Sequence, residues 1–123
     1  MEVKIDTKEK FHVLTILNGS LTANMTAAMG ECLVPYLQND VKNVILNLGA
    51  VQELSVEAGQ TLARIQQEFY EKGASCVICE VRPSVEAALD QMELLDLMNI
   101  TPTESEAWDI VQMEEIEREL LDE

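Results

Sequence analysis

The sequence predicts an α/β domain with a mostly parallel sheet of four to five strands, covered by helices as in a sandwich. Short apolar runs alternate with amphipathic segments of helix length, which is typical of strand–helix–strand crossovers in a parallel sheet. The run at residues 41–48 is nearly continuously apolar and indicates a central strand covered on both faces. The chain has 123 residues, and we expect a single domain over residues 1–123.

Two strands are predicted at the start of the chain. Val3 and Ile5 alternate with polar residues, as in a short half-buried strand. The apolar run over residues 11–17 predicts a stronger second strand, which stops at the turn-forming pair Asn18 and Gly19.

The first helix is predicted from apolar residues that recur at helical spacing. These residues are Met25, Met29, Cys32, Leu33, Tyr36 and Leu37. Thr22 or Asn24 is a candidate cap for the start of the helix. Because Gly30 and Pro35 are unfavourable inside a helix, we expect the helix to bend or tighten near Glu31.

A central strand and a second helix are predicted next. Ser55 is a candidate N-cap after the strand at 41–48, and Glu57 complements the positive end of the helix dipole. The buried stripe of this helix is predicted to be Ala58, Leu62, Ile65 and Phe69. Gly73 is suited to end the helix, since glycine adopts the left-handed conformation common at helix ends.

The last third of the chain repeats the pattern. Residues 74–81 predict a buried strand, and Pro83 fits the first position of a third helix, where its missing N–H is harmless. Residues 97–101 predict a last short strand. Thr103 and Glu106 have the spacing of a capping box at the start of a terminal helix.

The chain ends in an acidic segment, residues 112–123, that is predicted to continue the terminal helix as an amphipathic tail. Its apolar residues Ile116, Leu120 and Leu121 leave two interpretations open. They pack on a neighbour or on the domain, or they belong to a frayed, solvated end.

The charge balance restricts the possible partners. The chain carries 23 acidic and 8 basic residues, a formal net charge of −15. Such a chain repels nucleic acid and anionic membranes, so the charge favours a partner with a basic surface, or simply solubility. With no apolar run of about 18 residues and no signal-peptide pattern at the amino terminus, we expect a cytoplasmic protein.

Cys76 and Cys79 have the spacing of redox and zinc sites, but they lie within a predicted strand. Residues three apart on a strand point to opposite faces, so the two sulfurs should not meet. A zinc site would need two further ligands, for which Cys32 and His12 are the candidates. We interpret the cysteines as structural and His12 as a surface or half-buried residue. We expect no metal, cofactor or catalytic residue; a thiol or small-ligand-binding protein is the rival hypothesis.

Several short segments together resemble STAS domains of bacterial anti-sigma factor antagonists. They are the turn at 18–21, the strand and its exit at 44–51, the helix end at 71–74, the helix start at 82–85, and the last strand and helix at 95–101 and 106–107. The resemblance implies a STAS-like sandwich and a non-enzymatic regulatory module. It also implies a protein partner, an anti-sigma factor or switch protein kinase.

Many members of that family carry an Asp-Ser pair at a loop-to-helix junction, and the partner kinase phosphorylates the serine. The aligned pair here is Ser55 and Val56, and valine has no hydroxyl to accept a phosphate. An alignment shifted by one residue would put Ser55 in the acceptor position. As an N-cap, however, its oxygen is occupied by a backbone N–H, which makes it a poorer acceptor. Thr22 stands where the family often has aspartate.

The resemblance therefore implies a docking surface without the usual phosphoserine. Its predicted partner-binding residues are Thr22, Ala23, Asn24, Met25, Gln52, Glu53, Ser55, Val56, Glu57 and Gln60. Val56 would be an apolar anchor, and the acidic residues would steer a basic partner. A constitutive scaffold or transport-complex subunit is the alternative within this class, and a homo-oligomer is compatible with either.

Overall fold

A computed structural model describes residues 1–121, in which strands and α-helices alternate. The strands are β1 Val3–Thr7, β2 His12–Ile16, β3 Ser20–Leu21, β4 Val44–Asn47, β5 Glu53–Leu54, β6 Cys76–Cys79 and β7 Ile100–Thr101. The α-helices are α1 Thr26–Leu33, α2 Val56–Glu71, α3 Pro83–Gln91 and α4 Glu104–Leu121. None of the helices within residues 1–121 is long and apolar enough to cross a membrane.

The main sheet has five strands in the order β1-β2-β4-β6-β7. β1 runs antiparallel to β2, while β2, β4, β6 and β7 run parallel to one another. The predicted central strand is therefore β4, and its residues Val44, Ile45 and Leu46 are buried, as expected for a strand covered on both faces. The predicted mostly parallel α/β fold is confirmed.

The two faces of the sheet are covered unequally. Leu14, Leu46 and Ile78 share one face, where α1, α2 and α3 pack in a large apolar core. Their neighbours in sequence point the other way, into a smaller core that α4 covers with Ala107 and Val111. This division follows from the period of two along a strand.

The two cysteines of the C-x-x-C pair are separated by the same rule. Cys76 belongs to the large core and Cys79 to the small one, and both are free thiols. The prediction that their sulfurs do not meet is confirmed.

The first helix differs from its prediction. Instead of one helix that bends near Glu31, α1 lies between two 3₁₀ turns, Ala23–Met25 and Val34–Gln38. The tightening begins three residues later than expected because Pro35, which lacks an N–H, sits at the start of the second turn. The predicted caps are also wrong, since Thr22 makes no side-chain bond at the start of the first turn and Asn24 lies inside it.

Three other features differ from the sequence analysis. β3 and β5 form a small parallel ladder, with Ser20 opposite Glu53, in segments without a strand pattern. β7 is shorter than the strand expected over 97–101, because Leu95–Leu97 form a 3₁₀ turn. His12 was expected at the surface or half-buried but is buried, with ring nitrogens 3.0 Å from Thr7 Oγ1 and 3.0 Å from the Val41 carbonyl oxygen.

The second half of α4 is fixed by polar contacts rather than apolar ones. Arg118 donates to Ser75 Oγ at 3.1 Å, to Asn43 Oδ1 at 3.1 Å and to Glu115 at 2.9 Å. The Asn43 side chain also donates to Glu115, at 2.9 Å. Hydrogen bonding from Asn43 and Arg118 lowers the pKa of Glu115. Of the acidic tail expected over 112–123, residues 122 and 123 lie outside the described residues.

Candidate functional site

The predicted binding surface begins in the turn that follows β4. The Val51 amide donates to the Leu48 carbonyl oxygen at 3.0 Å, and the Gly49 amide donates to Asn47 Oδ1 at 2.8 Å. A side chain at Gly49 would place its Cβ 3.1 Å from Asn47 Oδ1 and 3.5 Å from the Cβ of Glu80. Glycine therefore allows the chain to turn closely against the end of the sheet.

The loop from this turn to β5 is held by the start of α3. Arg82 Nε donates to the Gly49 carbonyl oxygen at 2.7 Å, and Ser84 Oγ donates to the Gln52 carbonyl oxygen at 2.8 Å. These two residues were not among the predicted site residues. The sequence offered little signal for them, because their role depends on contacts with residues about thirty positions earlier in the chain.

The ladder between β3 and β5 joins the two predicted segments of the surface. Gln52 N donates to the Gly19 carbonyl oxygen at 2.7 Å, and Ser55 N donates to the Leu21 carbonyl oxygen at 2.9 Å. Ser20 Oγ adds a longer bond to Glu53, at 3.4 Å. Residues 22–25, which directly follow β3, are thereby brought beside the start of α2.

The start of α2 has the predicted cap. Ser55 is extended, with φ −73° and ψ 161°, and its Oγ accepts a hydrogen bond from Ala58 N at 3.1 Å. Glu57 lies in the first turn, where a carboxylate complements the positive end of the helix. The Ser55 carbonyl oxygen accepts from Gly59 N at 3.0 Å and begins the helical bonding.

The helix behind this start is seated closely on its neighbours. All four residues of the predicted stripe, Ala58, Leu62, Ile65 and Phe69, are buried. A Cβ added to Gly59 would lie 2.6 Å from the sulfur of Met92, which follows α3, and 3.5 Å from Leu54. The small residue thus lets α2 approach α3, and the first turn of α2 is fixed in position relative to the loop.

Most predicted surface residues reach solvent. Thr22, Ala23, Asn24, Gln52, Glu53, Val56, Glu57 and Gln60 are exposed, and Met25 and Ser55 are half-buried. Val56 is 52% exposed although its side chain is apolar. The surface is therefore an open face with one apolar residue among polar and acidic ones; we call it the α2-start surface.

The buried thiols are poor ligands and nucleophiles. Burial raises the pKa of Cys76 to about 12, and the charge of Glu114 adds to the rise. Burial also raises the pKa of Cys79 to about 12, with the charges of Glu104 and Glu80 contributing. Both thiols are neutral at physiological pH, and the thiolate is the reactive form. Within residues 1–121, no group of three or more His, Cys, Asp or Glu side chains is placed to hold a metal ion.

The fold and this junction define the class of the protein: a small α/β domain that presents the start of one helix and its preceding loops to solvent. The chain belongs to the STAS domain family, whose model matches residues 3–107. No curated protein matches the chain by sequence.

Solved structures show the same fold at low sequence identity. A putative anti-sigma factor antagonist from Thermotoga maritima is 16% identical, with a TM-score of 0.75 over 89% of this chain and 94% of the other. The anti-sigma factor antagonist SpoIIAA, in its unphosphorylated form, is 15% identical, with a TM-score of 0.70 over 90% and 96%. A chain from the stressosome, described as a signal integration and transduction hub, is 16% identical, with a TM-score of 0.67 over 89% and 96%.

Proposed function

We propose that this domain is a non-enzymatic regulatory module of the bacterial cytoplasm that binds an anti-sigma factor or a switch protein kinase. Membership of the STAS family and the shared fold of anti-sigma factor antagonists support this assignment. The observation that carries it is Val56, an apolar residue 52% exposed at the first position of α2, on the surface where the family has its switch.

Val56 supplies the apolar centre of the proposed contact. Burying a valine side chain on association stabilises a complex by up to about 1.5–3 kcal/mol. Glu53 and Glu57 flank it and are exposed, so they attract a basic partner without being desolvated at the centre. The net charge of −15 accelerates the encounter at low ionic strength.

The module acts without the serine switch of its relatives. Val56 cannot carry a phosphate, and Ser55 Oγ accepts a hydrogen bond from Ala58 N at 3.1 Å. Phosphorylation of Ser55 would remove this cap and add up to about two negative charges beside Glu53 and Glu57. The surface therefore stays in one state, and the abundance of the partner controls the complex.

A matched pair of variants tests the proposal. The chain is immobilised, and binding of the anti-sigma factors and switch kinases of the source organism is measured by biolayer interferometry. Val56→Asp should reduce affinity at least about tenfold, because it buries a charge at the centre of the contact. Ile5→Asp is the control, since Ile5 on β1 is equally exposed, at 53%.

The thermal midpoints of both variants should lie within a few degrees of that of the unchanged chain, since both substituted side chains are exposed. Equal binding by Val56→Asp and the unchanged chain would show that the contact lies elsewhere. An equal loss of affinity in Val56→Asp and Ile5→Asp would mean that net charge, and not the α2-start surface, determines binding.

A constitutive scaffold in a larger assembly is the second candidate. The unmodifiable Val56 and the shared fold of the stressosome chain favour it. Sedimentation velocity separates the two functions: a scaffold forms a stable oligomer of this chain alone, whereas an antagonist associates only when its partner is added.

A further inference from the structure

The end of the sheet opposite the α2-start surface carries a groove between α2 and α4. A cavity of about 280 Å³ is lined by Tyr70, Leu97, Asn99 and Glu114, among others. A second cavity, of about 350 Å³, is lined by Tyr70, Glu114 and Leu121, among others. The two cavities share Tyr70, Ala74 and Glu114, so they form one continuous depression, which we call the α2–α4 groove.

The groove exposes large apolar side chains. Tyr70 is 78%, Leu97 80% and Leu121 84% exposed, the highest values for large hydrophobic residues within residues 1–121. Single exposed leucines are common, but a cluster around a concave surface marks an interaction site. All three line the same groove.

The floor of the groove is polar and already satisfied. Gln66 donates to the carbonyl oxygens of Cys76 and Asn99, both at 2.9 Å, and accepts from Asn99 N at 3.1 Å. Ser75 Oγ donates to Glu114 at 2.6 Å. Because these groups bond to one another, an occupant is held by apolar contacts with the walls rather than by hydrogen bonds to the floor.

The charge of the rim selects the kind of occupant. The exposed Glu117 lines the groove, and Glu114 lines it deeper, with its carboxylate oxygens accepting from Ser75 and Asn99. Arg118 also lines it, but its guanidinium is bonded to Glu115 at 2.9 Å. A second copy of the chain would bring another acidic rim to this one, so self-association here is opposed by repulsion.

We propose that the α2–α4 groove docks an amphipathic helix of another protein, with two or three large apolar residues on one face and lysine or arginine beside them. The apolar residues lie against Tyr70, Leu97 and Leu121, and the basic residues lie beside Glu114 and Glu117. This site is separate from the α2-start surface, since it lies at the amino-terminal end of β6 rather than beyond the carboxyl-terminal end of β4.

The test uses two synthetic helical peptides, one of leucine and lysine and one of leucine and glutamate with the same leucine spacing. Each is titrated into the ¹⁵N-labelled chain. The lysine peptide should shift the amide signals of Tyr70, Leu97 and Leu121, and the glutamate peptide should not. A variant with both Tyr70→Ser and Leu97→Ser should bind the lysine peptide with an affinity lower by at least about tenfold.

Ile116→Ser is the matched control, because Ile116 is an exposed apolar residue on the same helix as Leu121 and does not line the groove. It should leave binding unchanged, and the dispersion of the amide spectrum verifies that each variant is folded. Shifts centred on Ile116 or Val56, or equal binding of both peptides, would overturn the proposal. So would concentration-dependent dimerisation that the Tyr70 and Leu97 changes abolish, since the groove would then hold a second copy.

Discussion

The starts of α2 and α4 are two solutions to the same problem, the unpaired amides of a first helical turn. At α2 the cap is the neutral hydroxyl of Ser55, and the next residue, Val56, is exposed. At α4, Glu104 N donates to the carboxylate of Glu80 at 2.7 Å, and Glu106 N donates to Thr103 Oγ1 at 3.3 Å. A carboxylate from within the molecule thus accepts a hydrogen bond at the start of α4, while at the start of α2 the side-chain acceptor is a neutral hydroxyl and the Glu57 carboxylate is exposed.

The difference separates a helix start that is bonded inside the molecule from one that stays exposed to solvent. The positive end of a helix attracts negative groups. At α4 the carboxylate of Glu80 already occupies this positive end. The Glu104 carboxylate accepts hydrogen bonds from Trp108 and Asn47. At α2 no carboxylate is hydrogen-bonded to a first-turn amide within residues 1–121, although the exposed Glu57 lies in that turn, so this helix start remains in contact with solvent.

The largest effect is expected from removing the internal anion. Glu80→Ala should lower the free energy of unfolding by about 1–3 kcal/mol, because Glu104 N then loses a charged partner in a half-buried site. Urea denaturation measures the change. Asp109→Ala, on the exposed face of α4, is the control and should change stability by no more than about 0.5 kcal/mol. Equal stability of the two variants would mean that the carboxylate of Glu80 contributes nothing to α4.

Removing the neutral cap should have a smaller effect. Ser55→Ala is expected to lower the free energy of unfolding by about 0.5–2 kcal/mol, since Ala58 N loses its acceptor. Ser55→Asp retains an oxygen at the same position and should remain close to the unchanged chain. Loss of stability in both variants would show that the hydroxyl does something other than cap α2.

Alkaline pH should lower the free energy of unfolding through Cys79, which lies on the α4 side of the sheet. Cys79 has a pKa raised to about 12, so its thiol stays protonated in the folded chain while the unfolded thiol ionises from about pH 8.5. The unfolded state then binds fewer protons, and stability falls as pH rises above that value. Between pH 8 and 9 the decrease should be larger in the unchanged chain than in Cys79→Ala, by less than about 1 kcal/mol. An equal decrease in stability in the unchanged chain and in Cys79→Ala would show that the Cys79 thiol is not responsible.

The smallest change in stability should have the clearest effect on regulation. Val56→Ser adds a hydroxyl at an exposed position and should alter the free energy of unfolding by no more than about 0.5 kcal/mol. Incubated with ATP and a switch kinase of the source organism, this variant should take up phosphate where the unchanged chain does not. Substantial phosphate on Ser55 of the unchanged chain would restore the serine switch, shifted by one residue.

Local patterns in the sequence predicted what depends on local interactions. The cap at Ser55, the left-handed Gly73 and the opposite facing of Cys76 and Cys79 each follow from one residue and its immediate neighbours. The order of strands and helices followed from the apolar periodicity. The exposure of Val56 was expected from the resemblance to the family rather than from any pattern around it.

What could not be predicted depends on residues far apart in the chain. Glu80 adopts a left-handed φ of 58°, which turns the chain after β6, and its carboxylate bonds a residue 24 positions later. Arg118 reaches Asn43 across 75 positions. No local propensity marks such contacts, and the two-residue ladder of β3 and β5 is too short to give a strand pattern.

That ladder has a consequence for how the α2-start surface moves. The amides of Gln52 and Ser55 bond to the carbonyl oxygens of Gly19 and Leu21, and few other backbone bonds join these segments. Opening them leaves the hydrogen bonds of β4 in the main sheet intact, so hydrogen exchange at Gln52 and Ser55 should be much faster than at Leu46 in the sheet centre. Deuterium uptake would then report the docking of a partner as slowed exchange at two amides, even where the average structure does not change.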